Sequence, residues 1–212
     1  AEIVGPYRRA KRRLLLFDYD GTLAPIRSRP EEAVPSHRLC ELLRTLGTDA
    51  ANRVVICSGR DSGTLEKWFG GLPVSLAAEH GAFYKDRGAW RCNIRPASWD
   101  PKLSALLEHF ARKTPRSRIE RKQTALAWHY REAYSWLGQL RAQQLVNALM
   151  PLCARLNLHI LQGDKVVEIK SPRFTKGSET LRLLRQERYD FILALGDDTT
   201  DEDMFKALPK NA

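Results

Sequence analysis

The chain has 212 residues, 43% hydrophobic and 28% charged, a balance that excludes a disordered or fibrous protein and leaves room for one large or two modest domains. No apolar run approaches the ~20 residues that span a bilayer. The first apolar residues stand beside Arg8, Arg9, Lys11, Arg12 and Arg13 rather than in a signal-peptide layout, which predicts a soluble, cytoplasmic protein. The formal charge of +10 implies an anionic partner or a well-solvated surface. Because the basic residues are scattered and carry no nucleic-acid recognition pattern, a small phosphorylated substrate explains the excess as well as nucleic acid does. Cys40, Cys57, Cys92 and Cys153 form no Cys-x-x-Cys pair, so neither a zinc knuckle nor a disulfide framework has support.

In chain order, the first firm element is the apolar run 14–17, a strand buried on both faces of a parallel sheet, ending in Asp18-Tyr19-Asp20-Gly21-Thr22. Leu39, Leu42, Leu43 and Leu46 give residues 35–46 a helical period, with Ser36 able to cap its start. A second buried strand over 53–57 closes in Ser58-Gly59-Arg60, and a helix follows over 63–69. A third strand, 74–78, ends in Glu79-His80-Gly81. The texture then loosens around Trp90, Arg91, Arg95, Pro96 and Trp99, which places a domain boundary there.

Residues 101–112 read as an amphipathic helix, 118–122 and 126–131 as a hairpin, 140–157 as a long helix, and 159–162 and 166–170 as two further strands. After Pro172 the first pattern returns, with a helix over 176–186 and a buried strand over 191–195 ending in Gly196-Asp197-Asp198. The fold class expected is α/β, a doubly wound parallel-sheet core of Rossmann-like type. It is assembled from residues 1–90 and 172–212 and interrupted by an α+β insert over 91–171.

Open α/β sheets collect ligands outside the carboxyl ends of their strands, where this chain places Asp18, Asp20, Ser58, Asp197 and Asp198. One aspartate at a strand end is an ordinary turn-former. Several on one edge repel each other unless a cation sits between them, and hard oxygen ligands suit magnesium. The Asp-Tyr-Asp-Gly-Thr run, Ser58, Lys176 at a helix start and the run 196–201 resemble the four motifs of haloacid dehalogenase superfamily phosphatases, in the expected order. Ser58-Gly59-Arg60, Glu79-His80-Gly81-Ala82, Trp128-His129-Tyr130-Arg131, Lys165-Val166-Val167-Glu168 and the run 197–205 are similar to the trehalose-6-phosphate phosphatase family, closest to the phosphatase halves of fused synthase-phosphatase proteins.

The resemblance implies magnesium-dependent hydrolysis of trehalose 6-phosphate, with Asp18 as the nucleophile that forms an aspartyl-phosphate and Asp20 as general acid and base. It implies metal ligands at Asp18, Asp20 through its carbonyl, Asp197 and Asp201, with Asp201 and Asp198 also able to orient ligands. Phosphate contacts fall to Thr22, Ser58, Gly59 and Lys176, the lysine helped by its helix start.

The insert is expected to close over the site as a cap. Glu120, Lys122, Arg131 and Glu168 would meet the sugar from it, and Arg60, Glu79 and His80 from the core. His129 joins the cap pattern, and the opposing reading for these residues is a salt-bridged sheet face. Trp90, Trp99, Trp128 and Trp136 read as insert core before sugar platforms. Competing functions are a phosphatase of another sugar phosphate, such as sucrose or mannosylglycerate phosphate, and a catalytically silent regulatory domain that binds sugar phosphate or a partner enzyme. The chain stops at Ala212, where the family continues with a further strand and helix, so a truncated core is expected. Residues 1–11 read as the end of a linker from an upstream synthase.

Overall fold

The computed structural model describes residues 3–27, 29–86, 88–92 and 99–210. The chain forms two compact units, Ala1–Asn93 with Phe174–Ala212, and Ile94–Arg173. Arg95 and Pro96, part of the texture change read as a boundary, lie outside the described residues.

The first unit carries a six-stranded sheet. After a short helix α1 (Val4–Arg9) come β1 (Arg13–Phe17), α2 (His37–Thr48), β2 (Asn52–Cys57), α3 (Ser62–Phe69), β3 (Ser75–Ala78), β4 (Phe83–Lys85) and β5 (Arg91–Cys92). The chain returns in α6 (Lys176–Gln186), β10 (Phe191–Leu195) and α7 (Thr199–Lys206). The strand order is β10-β1-β2-β3-β4-β5, parallel from β10 to β3 and antiparallel beyond.

Apolar strands buried on two faces need helices on both. Leu14, Leu16, Val55, Cys57 and Ala77 pack with Leu183 of α6 and Met204 of α7. Their neighbours of opposite parity, Leu15, Phe17, Val54, Ile56 and Leu76, are equally buried, and α2 and α3 pack along β2 and β3, burying Leu43, Leu65 and Phe69. Ser36 caps α2 by accepting from Leu39 N at 3.2 Å. The short pair β4–β5 was not foreseen, because three-residue and two-residue strands are too brief to show an alternation.

The second unit contains α4 (Pro101–Arg112), β6 (Arg118–Arg121), β7 (Ala125–His129), α5 (Ser135–Leu156), β8 (His159–Gly163) and β9 (Val166–Lys170). Its antiparallel sheet runs β6-β7-β9-β8. One face, with Leu126, Trp128, Val167 and Ile169, packs on Leu103, Leu107 and Phe110 of α4 and on Leu145, Leu149 and Cys153 of α5. The other face presents Glu120 and Lys122 beside β6, with Ala125, Ala127, His129, Glu168 and Lys170. Helix α5 begins at Ser135, earlier than the expected 140, because its first turn is solvent-facing and carries no apolar period; Gly138 there leaves room for the Tyr130 ring, which a Cβ would approach to 2.6 Å. Among the described residues no helix is long and apolar enough to cross a membrane.

The tryptophans divide by burial. Trp128 is fully buried in the insert core and Trp99 packs against it, whereas Trp136 is 69% exposed and Trp90 donates to Glu66 in the first unit. Trp128→Ala is expected to cost about 3–5 kcal/mol in a denaturant titration, by lost burial and a residual cavity, and Trp136→Ala less than about 0.5 kcal/mol. Equal losses would overturn the assignment of the insert core.

Candidate active site

The parallel strands deliver their carboxyl ends together. Phe17 pairs with Leu195 on one side and Ile56 on the other, and Cys57 pairs with Ala77, so Asp18, Ser58, Glu79 and Gly196 each begin a loop at the same edge. Main-chain bonds continue the ladder into these loops: Asp18 N donates to Leu195 O, Ser58 N to Ala77 O and His80 N to Ser58 O, all at 2.9 Å.

Lys176, the first residue of α6, is buried, and its Nζ donates to Asp18 Oδ1 at 2.5 Å and to Asp201 Oδ1 at 2.6 Å. Thr175 and Ser178 cap this helix reciprocally, fixing where the lysine emerges. Asp201 Oδ2 accepts from the amides of Asp197 and Asp198 at 3.1 and 3.0 Å, which shapes the turn before α7. Asp198 caps α7 through Thr199 N. Thr22 Oγ1 donates to Asp197 Oδ1 at 3.0 Å. The turn at Gly21 has φ +95°, and a Cβ there would lie 1.9 Å from Asp197 Oδ2. At Gly196 a Cβ would lie 2.2 Å from Asp201 Cγ.

Asp18, Asp197 and Asp201 each offer a carboxylate oxygen within 4.8 Å of the others. Burial pushes the Asp18 carboxyl up to about 6, against the pull of Lys176. Lys176 is held above its usual value: burial opposes its charge, and Asp18 and Asp201 more than offset that. Three carboxylates against one ammonium leave negative charge at the edge of the sheet, and all-oxygen donors fit a hard divalent cation.

Other residues expected at the site fall as follows. Ser58 is buried, its hydroxyl accepting from Arg60 N at 3.2 Å. Gly59 lies against His80, whose Nε2 a Cβ would meet at 2.9 Å. Glu79 and His80 are buried, both with positive φ, and wrap the loop after β2. Arg60 pairs with Asp20 rather than pointing outward. Tyr19, between the two aspartates in sequence, is fully buried and donates to Ala33 O; sequence reasoning gave it no role, since a buried anchor leaves no pattern.

In the insert, His129 Nε2 and Glu120 Oε2 are 2.8 Å apart and Lys122 Nζ donates to Glu168 Oε2 at 3.1 Å. Burial would raise the Glu120 carboxyl, but His129 and Lys122 hold it below its usual value. Arg131 instead donates to the Asp164 carbonyl and carboxylate, at 2.8 and 2.9 Å, clamping the β8–β9 turn.

The buried Asp18 gives a stability signature. A folded-state value of about 6 against an ordinary 3.8 means that this group's stabilisation is complete below about pH 4 and is lost as pH rises through about 6. In metal-free protein, Asp18→Asn, which has no such charge, is therefore expected to be more stable than the parent by roughly 1–3 kcal/mol at pH 7.5. Thermal or urea unfolding should show that advantage shrinking toward pH 4; a variant less stable than the parent at pH 7.5 would contradict the burial cost.

Residues 16–212 match the family model described as trehalose-phosphatase. The trehalose-phosphatase of Zygosaccharomyces rouxii is 43% identical over 228 residues, covering 95% of this chain and 25% of the relative. A bifunctional trehalose-6-phosphate synthase/phosphatase of Thermoproteus tenax is 42% identical over 209 residues, covering 97% and 28%. The chain thus spans about a quarter of the length of these curated relatives. Among solved structures, the C-terminal domain of Candida albicans trehalose-6-phosphate phosphatase superposes with a TM-score of 0.91 at 39% identity, over 97% of this chain and 77% of that one. With its strand-end carboxylates and buried lysine in place, the chain belongs to the trehalose-phosphatase family.

Proposed function

We propose that the chain hydrolyses trehalose 6-phosphate to trehalose and phosphate. The observation that carries this reading is the Asp18–Lys176–Asp201 cluster at the carboxyl edge of the sheet, in a chain whose relatives bear that activity in their names. An Asp18 carboxylate oxygen attacks phosphorus as the bond from phosphorus to the sugar oxygen breaks, giving an aspartyl-phosphate. Asp20, two residues on, gives a proton to the departing sugar oxygen. It then takes a proton from the water that attacks phosphorus and frees Asp18.

Lys176 and Ser58 hold the transferring phosphoryl oxygens, with Gly59 and Thr22 lining their loops, and the buried ammonium needs little reorganisation as charge moves. Magnesium, held by the Asp18 and Asp197 carboxylates and the Asp20 carbonyl, would neutralise charge on the phosphoryl oxygens. Asp201 is assigned an orienting role, because both of its oxygens are engaged by Lys176 and by the amides of Asp197 and Asp198. Glu120, Lys122 and Glu168 are proposed to read sugar hydroxyls, with Glu79 and His80 shaping the core side. In the whole protein a trehalose-phosphate synthase segment is the proposed partner, as in the bifunctional relative.

Purified protein with magnesium is expected to release phosphate from trehalose 6-phosphate in preference to the phosphates of sucrose, glucose and mannosylglycerate. Asp18→Asn should lower kcat by about 10³-fold or more, and chelation of the metal should silence the parent reversibly. Glu120→Ala and Glu168→Ala should mainly raise KM, each side chain contributing hydrogen bonds to the sugar worth about 1–3 kcal/mol. A folded, magnesium-loaded protein that releases phosphate from none of these sugars would replace the enzyme reading with that of a regulatory binding domain.

A further inference from the structure

The Asp20 carboxylate is taken up at both oxygens by one side chain. Arg60 donates from Nε to Asp20 Oδ2 at 2.8 Å and from Nη2 to Oδ1 at 2.5 Å, while Nη1 donates to the Pro30 carbonyl at 2.7 Å. Its guanidinium carbon lies 4.6 Å from the Trp68 ring centre and 5.6 Å from that of Tyr19. The main chain of Arg60 is fixed as well, its amide donating to Ser58 Oγ and its carbonyl accepting from Glu79 N at 2.9 Å. The arginine side chain is 11% exposed and the aspartate side chain 36%, so the cation is the anchored member of the pair. All three guanidinium nitrogens are used inside the unit, which is not how an arginine directed at a phosphate or sugar would be held.

We propose that Arg60 is a positioning residue that fixes the orientation of the Asp20 carboxylate, with Pro30, Trp68 and Tyr19 as its support. Asp20 needs such a partner. It sits on the turn that Gly21 opens, where its backbone is pinned by a bridge to Ala24 but its side chain is 36% exposed. A planar fork binding both carboxylate oxygens sets the plane of the carboxylate, which a lysine ammonium, acting as a point charge, does not. The loops after β1 and β2 are thereby locked together through one pair.

This inference rests on the acid and base roles proposed for Asp20, and the test separates the two. Trehalose leaves trehalose 6-phosphate through its 6-oxygen as an alkoxide that needs a proton, whereas p-nitrophenyl phosphate releases a phenolate that does not. Arg60→Ala is expected to lower kcat on the sugar phosphate by about 10–10²-fold, with KM changed less than about threefold and a much smaller loss on the aryl phosphate. Arg60→Lys should recover part of the loss. Asp20→Asn should show the same selectivity with a larger loss, about 10²–10³-fold, and adding Arg60→Ala to it should cost little more.

A raised KM with kcat kept, equal losses on both substrates, or losses that multiply in the double variant would each overturn the positioning role and make Arg60 a ligand of substrate or a purely structural cation. Equal losses on both substrates in Asp20→Asn itself would instead remove the acid and base reading. Near-ultraviolet circular dichroism checks each fold; should Arg60→Ala unfold, Arg60→Lys, which keeps stem and charge, carries the comparison, and should the aryl phosphate not turn over, the double variant does.

Discussion

A buried lysine between two buried carboxylates is the constraint around which the core unit is arranged. Taking Lys176, Asp18 and Asp201 out of water costs several kcal/mol per ion, and mutual attraction returns that only where the geometry holds. The chain supplies that geometry from three separate places. Asp18 is fixed by the ladder of β1 with β10, Lys176 by the reciprocal cap of α6, and Asp201 by the first turn of α7, where it also closes the amides of the preceding loop. The Asp18 carboxyl, raised to about 6, shows that the burial is not fully offset. A fold chosen only for stability would place apolar side chains there; charges fixed in advance suit the dianionic phosphoryl group proposed to bind at this edge.

Close approach is the second condition, and it explains the glycines that matter most. At Gly21 and Gly196 a Cβ would overlap Asp197 and Asp201, and at Gly177 it would meet the Asp203 carbonyl at 2.5 Å. The loops at Gly21 and Gly196 therefore pack backbone against carboxylate, and α6 at Gly177 packs against the main chain of α7. Of these three glycines, Gly21, with φ +95°, is the one whose conformation also requires it.

Much of this was legible in the sequence, for a physical reason. A strand buried on both faces writes an uninterrupted apolar run, and β1 and β2 fall where such runs stand; β10 also falls on its run but lies at the sheet edge, half-buried and with Leu195 exposed rather than buried as expected, while Pro101–Arg112 and Lys176–Gln186 carry helical periods that begin beside their caps. The strand-end motifs add Asp18, Asp20, Ser58 and Asp197, because position at a strand terminus is itself a periodic property. What periodicity does not encode is who a long polar side chain meets. Arg60 reads equally as a phosphate or sugar ligand until Trp68 and Pro30 are placed beside it, and Arg131 shares a strand pattern with His129 yet turns to Asp164. The pair β4–β5 and the start of α5 were missed because burial there is too brief or absent to leave a pattern.

The insert sheet applies the same alternation to a different end. Even-numbered positions such as Leu126 and Trp128 build the core against α4 and α5, while the intervening Ala125 and Ala127 present only methyl groups on the other side. Because Ala127 stands in register with both Glu120 and Glu168, Lys122 can reach over β7 from one strand to the other and bond Glu168, and Glu120 can meet His129. Paired charges keep their orientation without a ligand, so the groups proposed to read sugar hydroxyls need not be ordered anew when a sugar binds. Since none of the polar members enters the apolar core, this face can change in sequence while the packing beneath it stays intact, which separates the proposed means of recognition from the means of folding within a single sheet.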